Sequence, residues 1–401
     1  MHLVTPKFPF AREHGAEPSI LNAKLRGQGP VSEVELFDGS KAWVVTQNQL
    51  ICDTLARDGK DLSADRRQPN YPEIHEGGSK AKEARPTFVN LDDPEHAKQR
   101  AILEPAFAPI AVESYRPMMR RIINDVLDKM EQKKGQQPID LIKEFAAPVP
   151  TQIIYQLLGI PESDVDELSK DSEIRASTSR NAAETSNLTL QKYIHDLAEL
   201  RIKKKENDLV SDLVDHYEKG DLEREDIDAL SFLILTAGNA ALISTIGMGV
   251  IALSQHPEQL EEFKRDPSLA PDVVNEIMRY YTASALNCRR VATHEFKIGG
   301  HVIKPGDKVI CAVQSGDRDE AVYPNPEKFD IHRKHDPTKL LAFGFGPHRC
   351  VAEGISRLQL EMAFTSLFQR FPNLRLAKDP SELTYTPPAQ NISVAEVPVY
   401  L

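Results

Sequence analysis

The sequence predicts a mainly α-helical chain with small β-sheets, and three observations carry that reading. Within 112–133, Met118, Ile122, Val126 and Met130 recur at the i+4 spacing of an amphipathic helix. Residues 229–253 hold no charged side chain, the pattern of a helix buried on every side. Period-two patterning is confined to short runs near 31–45, 296–313 and the C-terminus. A length of 401 residues would by size alone suggest about two or three domains. No Gly/Ser linker, low-complexity run or repeat marks a boundary, so one unit over 1–401 is expected. Its β-rich subregion would comprise about 31–60, 290–315 and 383–399.

Taken in order, residues 31–36 and 42–45 flank Asp38-Gly39 and read as a β-hairpin. Residues 47–56 follow as a helix. The polar stretch 63–84, broken by Pro69, Pro72 and Gly77-Gly78, reads as an irregular, mobile loop. Asp92 or Asp93 would cap a helix whose first turn holds Pro94 and Glu95. Residues 141–158 form a helix started by Asp140 and interrupted by Pro148 and Pro150, and helical patterns continue through 205 and over 209–217. The uncharged stretch 229–253 would be a central core helix about 37 Å long. It is long enough to cross a bilayer. However, Thr236, Gly238, Asn239, Ser244 and Thr245 dilute it, and acidic residues, not basic anchors, precede it. A helix over 268–281, strands over 296–313, a helix over 351–371 and a terminal strand pair near 383–399 complete the chain.

The net charge of -11 argues against a nucleic-acid partner, because phosphate binding needs a basic surface. Cys52, Cys288, Cys311 and Cys350 are scattered, with neither a zinc-site spacing nor a disulfide framework. The first residues lack an apolar signal core or anchor. A soluble cytoplasmic protein is expected, with no membrane partner and a mitochondrial form left open.

The chemistry concentrates in Phe343-Gly344-Phe345-Gly346-Pro347-His348-Arg349-Cys350. A cysteine closing a glycine-rich loop at the start of a helix is pushed towards thiolate by the helix N-terminus. Gly344 and Gly346 permit positive φ and close approach to something flat. Such a thiolate suits a haem iron as axial ligand; the bland alternative is a buried structural cysteine. His96 and Arg100, four apart on one helix face, could clamp carboxylates such as haem propionates. Arg66 and Arg67 sit in the polar loop, and Glu276 and Arg279 stand i,i+3 on a helix. For these groups the alternative is a solvated face or a surface ion pair. The small residues of Thr236-Ala237-Gly238-Asn239-Ala240-Ala241 would let a bulky ligand lie against the central helix, and invite a kink.

The order of these motifs resembles the cytochrome P-450 superfamily over essentially the whole chain. The motifs are Phe343-x-x-Gly346-x-His348-x-Cys350, Glu276-x-x-Arg279, Ala237-Gly238 and His96-x-x-x-Arg100. The resemblance implies haem b between the central helix and the cysteine loop, with Cys350 as iron ligand. His96, Arg100, Arg290 and His348 would contact propionates, and Glu276, Arg279 and Arg333 would form a buried charge cluster behind the haem. Within the superfamily the chain is most similar to fungal nitric oxide reductase cytochromes. That similarity rests on Phe8-Pro9-Phe10, Leu36-Phe37-Asp38-Gly39-Ser40, Arg85-Pro86-Thr87-Phe88-Val89, Ala237-Gly238-Asn239-Ala240 and Thr282-Ala283-Ser284-Ala285-Leu286. Those enzymes join two nitric oxide molecules into nitrous oxide with electrons taken directly from NADH, without a redox partner. By the same resemblance Arg66, Arg175 and Arg289 would draw in the dinucleotide, NADH or NADPH. Ser284 would belong to a distal hydroxyl relay.

Three positions depart from that family. Its central-helix threonine is Ala241, a basic loop position is Ala64, and a carboxylate near the C-terminus is Asn391. Oxygen-activating relatives place an acid and a threonine where Asn239 and Ala241 stand. Neither residue can protonate bound dioxygen. The distal pocket formed by Ser284, Asn239 and Ala241 therefore points first to nitric oxide reduction. The alternatives are a biosynthetic monooxygenase or peroxygenase acting on a small organic substrate, and a haem protein that binds a ligand without turnover.

Overall fold

The computed structural model describes residues 5–13, 15–76, 83–135, 138–165, 167–168, 180–284, 286, 288–387 and 391–401. The mainly helical architecture with small sheets is borne out. A five-stranded sheet has the order β1-β2-β8-β5-β3, formed by Val31–Glu35, Lys41–Val45, Lys308–Cys311, Arg289–Ala292 and Leu62–Ser63. The hairpin at its edge pairs Val31 with Val45. Its turn closes because Asp38 accepts from the Ser40 N–H (2.9 Å) and Gly39 takes φ 76°. β6 (Phe296–Ile298) and β7 (His301–Ile303) form the second hairpin.

A third sheet was not visible as such. β10 (Pro398–Tyr400) pairs with β4 (Ile139–Asp140) and β9 (Arg375–Leu376). The terminal pair expected near 383–399 is reduced to a bridge between Tyr385 and Val394. Strand segments of two residues carry no periodic signal, so only tertiary pairing reveals them.

The helix Glu95–Phe107 begins after Pro94, and Asp93 caps it by accepting from the Ala97 N–H (3.2 Å). In Pro109–Glu131 the buried stripe is Met119, Ile122, Ile123, Val126, Leu127 and Met130, while Met118 is only half-buried. Pro148 and Pro150 do not interrupt their helix. They occupy the first turn of Pro148–Leu158, where backbone N–H groups lack intrahelical partners anyway, and a π-helical turn, Ile142–Ala146, precedes them.

The central helix runs from Arg224 to Gln255, 32 residues and about 48 Å long. It starts five residues before the uncharged stretch. Glu223 and Asp226 close a capping box, so the acidic flank becomes the helix's first turn. It is the one described helix long and apolar enough to cross a membrane. Pro148–Leu158, Arg180–Lys203, Leu209–Glu218, Ala270–Tyr281 and Glu353–Arg370 pack around it, and every residue from Ser244 to Leu253 is buried. Phe364 and Ile277 approach so closely at Gly249 that a Cβ there would lie 2.4 Å from the Phe364 ring.

Candidate functional site

The cysteine loop is fixed by its own backbone. The Cys350 N–H donates to the Phe343 carbonyl (2.9 Å), Gly344 to Leu341 (2.8 Å) and Arg349 to Gly346 (3.0 Å). Gly344 and Gly346 take φ 72° and 73°, as the sequence implied. At Gly346 the constraint is also spatial, because a Cβ would meet the Leu55 carbonyl oxygen at 2.5 Å. Arg349 turns away from the loop's open side to clasp Glu353 with Nε (2.7 Å) and Nη2 (3.0 Å). The following helix begins at Glu353, not at Val351.

Two facts locate the Cys350 thiol. It has accessible surface, yet burial pushes its pKa up. Both hold if the sulfur borders an internal space. The expected push towards thiolate is therefore corrected. One N–H, from Ala352, favours the anion, and it does not outweigh desolvation. A bound cation would reverse that balance.

Across from the loop, the central helix opens a small-residue stripe. Ala237 and Ala240 are exposed and Ala241 half-exposed, in contrast to the buried run that follows. Val351 packs on the apolar cluster containing Leu235, and Phe343 and Ala352 on the cluster containing Leu242 and Ile246. The helix is unbroken through the polar insertions. Thr236 donates to the Phe232 carbonyl (2.8 Å), Asn239 to Leu235 (3.2 Å) and Thr245 to Ala241 (2.8 Å), all back along one continuous helix.

His96, Arg100, Arg290 and His348 lie close together. The His96 and His348 rings stand 4.2 Å apart. His96 Nδ1 meets Asp93 (3.0 Å), while its buried Nε2 has no partner. Burial, aided by Arg290, His96 and Arg100, pushes His348 down to about 2. Arg100 donates to the Arg349 carbonyl (2.7 Å) and pairs with Glu104 (2.8 Å). Arg290 is more committed than expected. Asp58, a residue without sequence signal, binds its Nε (2.7 Å) and Nη2 (2.6 Å), and Nη1 donates to the Arg289 carbonyl (2.9 Å).

Behind the loop, Glu276 and Arg279 are fully buried, so the surface-pair alternative is overturned. Arg279 donates twice to Glu276 (2.8 Å each), and Arg333 Nε lies 3.2 Å away. His335, which sequence reasoning missed, approaches Glu276 at 3.3 Å. Burial alone would raise the Glu276 pKa. Hydrogen bonds from Arg279, with the nearby His335 and the Asp330 N–H, overcome it and hold the carboxyl down to about 2.

Residue 392 ties the turn before Ser284 to the central helix. The Ile392 N–H donates to the Ala283 carbonyl (3.2 Å), and its carbonyl accepts from Ser244 Oγ. Ser284 and Asn391 therefore sit beside one junction with the central helix. Ser284 Oγ has no hydrogen-bond partner among the described residues, and the buried Asn239 Oδ1 has none either.

Of the dinucleotide candidates, Arg175 lies outside the described residues. Arg66 and Arg289 are close enough to repel: desolvation lowers the Arg289 pKa, and Arg66 lowers it further. The buried Arg66 Nε has no partner. Arg289 is held by the Leu286 and Pro72 carbonyls (3.0 Å each) and by Glu73 at 3.5 Å.

A haem fits these residues. Cys350 is exposed yet desolvated, and an orphaned imidazole nitrogen lies among cations suited to propionates. The comparisons agree. Residues 268–399 match the family model for cytochrome P450. The chain is 41% identical to Cytochrome P450 55A3 of Fusarium lichenicola, covering 98% of this chain and 97% of that one. It is 32% identical to pentalenic acid synthase of Streptomyces avermitilis, covering 98% and 96%. The solved structure of GfsF superposes with a TM-score of 0.93 at 30% identity, covering 99% of this chain and 100% of that one.

The chain belongs to the cytochrome P450 family. It is a haem-thiolate oxidoreductase, and its likeness to the fungal members exceeds its likeness to Streptomyces members such as the synthase. Family membership implies a haem with a cysteine thiolate ligand and a small-molecule substrate.

Proposed function

We propose that this cytochrome P450 is nitric oxide reductase-like. Two nitric oxide molecules, a hydride from NADH and one proton would give nitrous oxide, NAD+ and water. The observation that carries this reading is the state of the distal helix. Asn239 stands where an acid would be, Ala241 offers no hydroxyl, and the next threonine, Thr245, spends its hydroxyl on the Ala241 carbonyl. An enzyme that must break an O–O bond needs protons at that place, and general acid help is worth about 10²–10⁴ in rate. The fungal likeness supports the same choice.

In this reading Cys350 would hold the iron of a haem, which when bound would supply electron transfer to nitric oxide. His96, Arg100, His348 and Arg290 would hold the propionates. Arg66 and Arg289, with Arg175, would receive the dinucleotide pyrophosphate by charge-assisted hydrogen bonds. Ser284, with a free hydroxyl beside the Ile392 junction, would hold a proton-bearing water against the distal pocket. Asn239 Oδ1 would accept from that water.

No protein redox partner would be required. Support comes from the cysteine side of the molecule, where the cations are partly paired: Arg100 with Glu104, while Arg349 and Arg357 share Glu353. That pairing lowers the positive charge an acidic carrier would meet among the described residues. A soluble intracellular location fits a central helix buried by its own protein.

A second reading has its own support. The exposed Ala237 and Ala240 leave room over the haem for a small organic substrate, and pentalenic acid synthase carries a biosynthetic name. One anaerobic assay separates the two. Purified haem-loaded protein receives nitric oxide and NADH without any carrier protein. Rapid NADH oxidation with nitrous oxide release is expected. No turnover, together with an organic compound that shifts the haem spectrum, would establish the monooxygenase instead.

A further inference from the structure

One buried carboxylate outside the site touches both of the segments that frame it. Asp317 follows the short helix Val313–Gly316 and is fully buried. Its Oδ1 accepts from the Leu341 N–H (2.8 Å), two residues before the cysteine loop begins at Phe343. Its Oδ2 accepts from Thr282 Oγ1 (2.9 Å), two residues before Ser284. Its carbonyl accepts from Arg279 (3.1 Å), the cation of the buried Glu276 pair. Thr282 ends the helix Ala270–Tyr281 in a left-handed conformation, φ 46°, which a β-branched residue adopts only when its surroundings hold it there.

We infer that Asp317 is a positioning residue that holds the Ser284 turn and the cysteine loop in one geometry, and that its carboxyl gains or loses a proton with a matching rotation of the Thr282 hydroxyl. The inference rests on the haem-site reading and is independent of which reaction the haem performs.

The geometry allows two hydrogen-bonded states. With the carboxylate ionised, Thr282 donates to it. With Oδ2 protonated, the carboxyl donates to Thr282 Oγ1, and that hydroxyl turns to the Met278 or Arg279 carbonyl, already 3.3 and 3.2 Å away. Leu341 keeps its acceptor in both states. Burial pushes the Asp317 pKa up to about 7, opposed by the Leu341 and Thr282 bonds and by Arg279 and Arg318. The negative end of the helix that Thr282 terminates acts in the same direction as burial. The other titratable groups around it are Tyr323 and the raised thiols of Cys52 and Cys288. None of these three acids is ionised at neutral pH, so none masks the step.

The sign follows from linkage. The unfolded carboxyl releases its proton near pH 4, the native one near pH 7. Between those values the native state alone keeps the proton, so this group's contribution to stability falls as pH rises and then levels above about 7.

The test uses haem-loaded protein and the variants Asp317→Asn and Thr282→Val. Asparagine reproduces the protonated state, donating to Thr282 and accepting from Leu341, and cannot titrate. Wild type should show amide-exchange protection factors for 280–286 and 338–350 that change together with one pH midpoint near 7. In Asp317→Asn both segments should lose that midpoint while the red-shifted carbon monoxide spectrum is retained. Its thermal midpoint should exceed wild type by an amount that grows from pH 5 to 7 and then holds. Thr282→Val removes a donor from the carboxylate, so the shared midpoint should move to higher pH. The inference is overturned if Asp317→Asn keeps the wild-type pH step or if the two segments respond at different pH. Should Asp317→Asn fail to fold, an unmoved midpoint in Thr282→Val overturns it equally. Absence of nitric oxide turnover would leave all these readouts intact.

Discussion

The two faces of the site are built to opposite rules. On the cysteine side the charges are paired, while Tyr323 Oη, Gln359 Oε1 and both His335 nitrogens are buried without partners. Glu276 accepts from Arg279, Arg333 and the Asp330 N–H, and Arg349, Arg357 and Glu353 interlock. On the central-helix side polar atoms are left over. Asn239 Oδ1 and Ser231 Oγ are buried without partners, and Ser284 is unengaged among the described residues. A buried unsatisfied group costs about 1–3 kcal/mol, so such atoms persist where something else is meant to meet them. The cysteine side is a scaffold of paired charges, and the central-helix side offers neutral polar atoms to a ligand.

The contrast can be broken most severely at its charge-paired end. Glu276→Ala would leave the buried Arg279 uncompensated. It should cost about 3–5 kcal/mol, read as a lower denaturant midpoint with loss of haem on gel filtration. A loss below about 1 kcal/mol would mean that the pair is not the keystone its burial suggests.

At the central-helix end Ala241→Thr should act on rate and leave stability nearly unchanged. By restoring a hydroxyl at the distal helix it should raise nitric oxide turnover by up to about 10²-fold, measured as anaerobic NADH oxidation. If turnover is flat while hydroxylation of an organic substrate appears, proton delivery was limiting a monooxygenase and the proposed function is wrong.

The boundary between the faces carries a pH signature. His348 is held down to about 2 in the native protein, whereas the unfolded chain protonates it near its ordinary 6.5. The sign is destabilising on acidification: below pH 6.5 the unfolded state gains a proton that the native state refuses. Haem-free protein should lose about 2 kcal/mol between pH 6.5 and 5 from this group, a loss that His348→Phe removes. Haem should flatten it too, because propionate anions beside the ring favour its charged form. A haem-loaded protein with the same slope would place the propionates elsewhere.

The smallest expected effect lies at the rim. Arg66→Glu should raise the apparent KM for NADH about tenfold, roughly 1.4 kcal/mol, with kcat little changed. An unaltered KM would separate Arg66 from the dinucleotide.

Much of this was readable from residues alone, for identifiable reasons. The cysteine loop was legible because its glycines are demanded locally: positive φ at Gly344 and Gly346 is a backbone requirement that few other residues meet. Helix starts were legible where a cap sits next in sequence, as at Asp93, and misplaced where the cap was mistaken for a flank, as at Glu223. Prolines 148 and 150 misled because a first-turn proline and a helix-breaking proline look alike until the start of the helix is known. Asp58 and His335 could not be foreseen, since each acts on a partner more than fifty residues away with no motif between them.

The sequence by itself determined the family and the helical class, and singled out Cys350 as the proposed thiolate. Those depend on local backbone constraints and on a fixed order of short motifs. Only the tertiary structure decided which charges are spent. It buried Glu276 and Arg279 together, tied Arg290 to Asp58, consumed the Thr245 hydroxyl on the Ala241 carbonyl and left Ser284 and Asn239 open. Residue type states what a group can donate or accept. Its burial and its neighbours, set by long-range packing, state whether that capacity remains for a ligand.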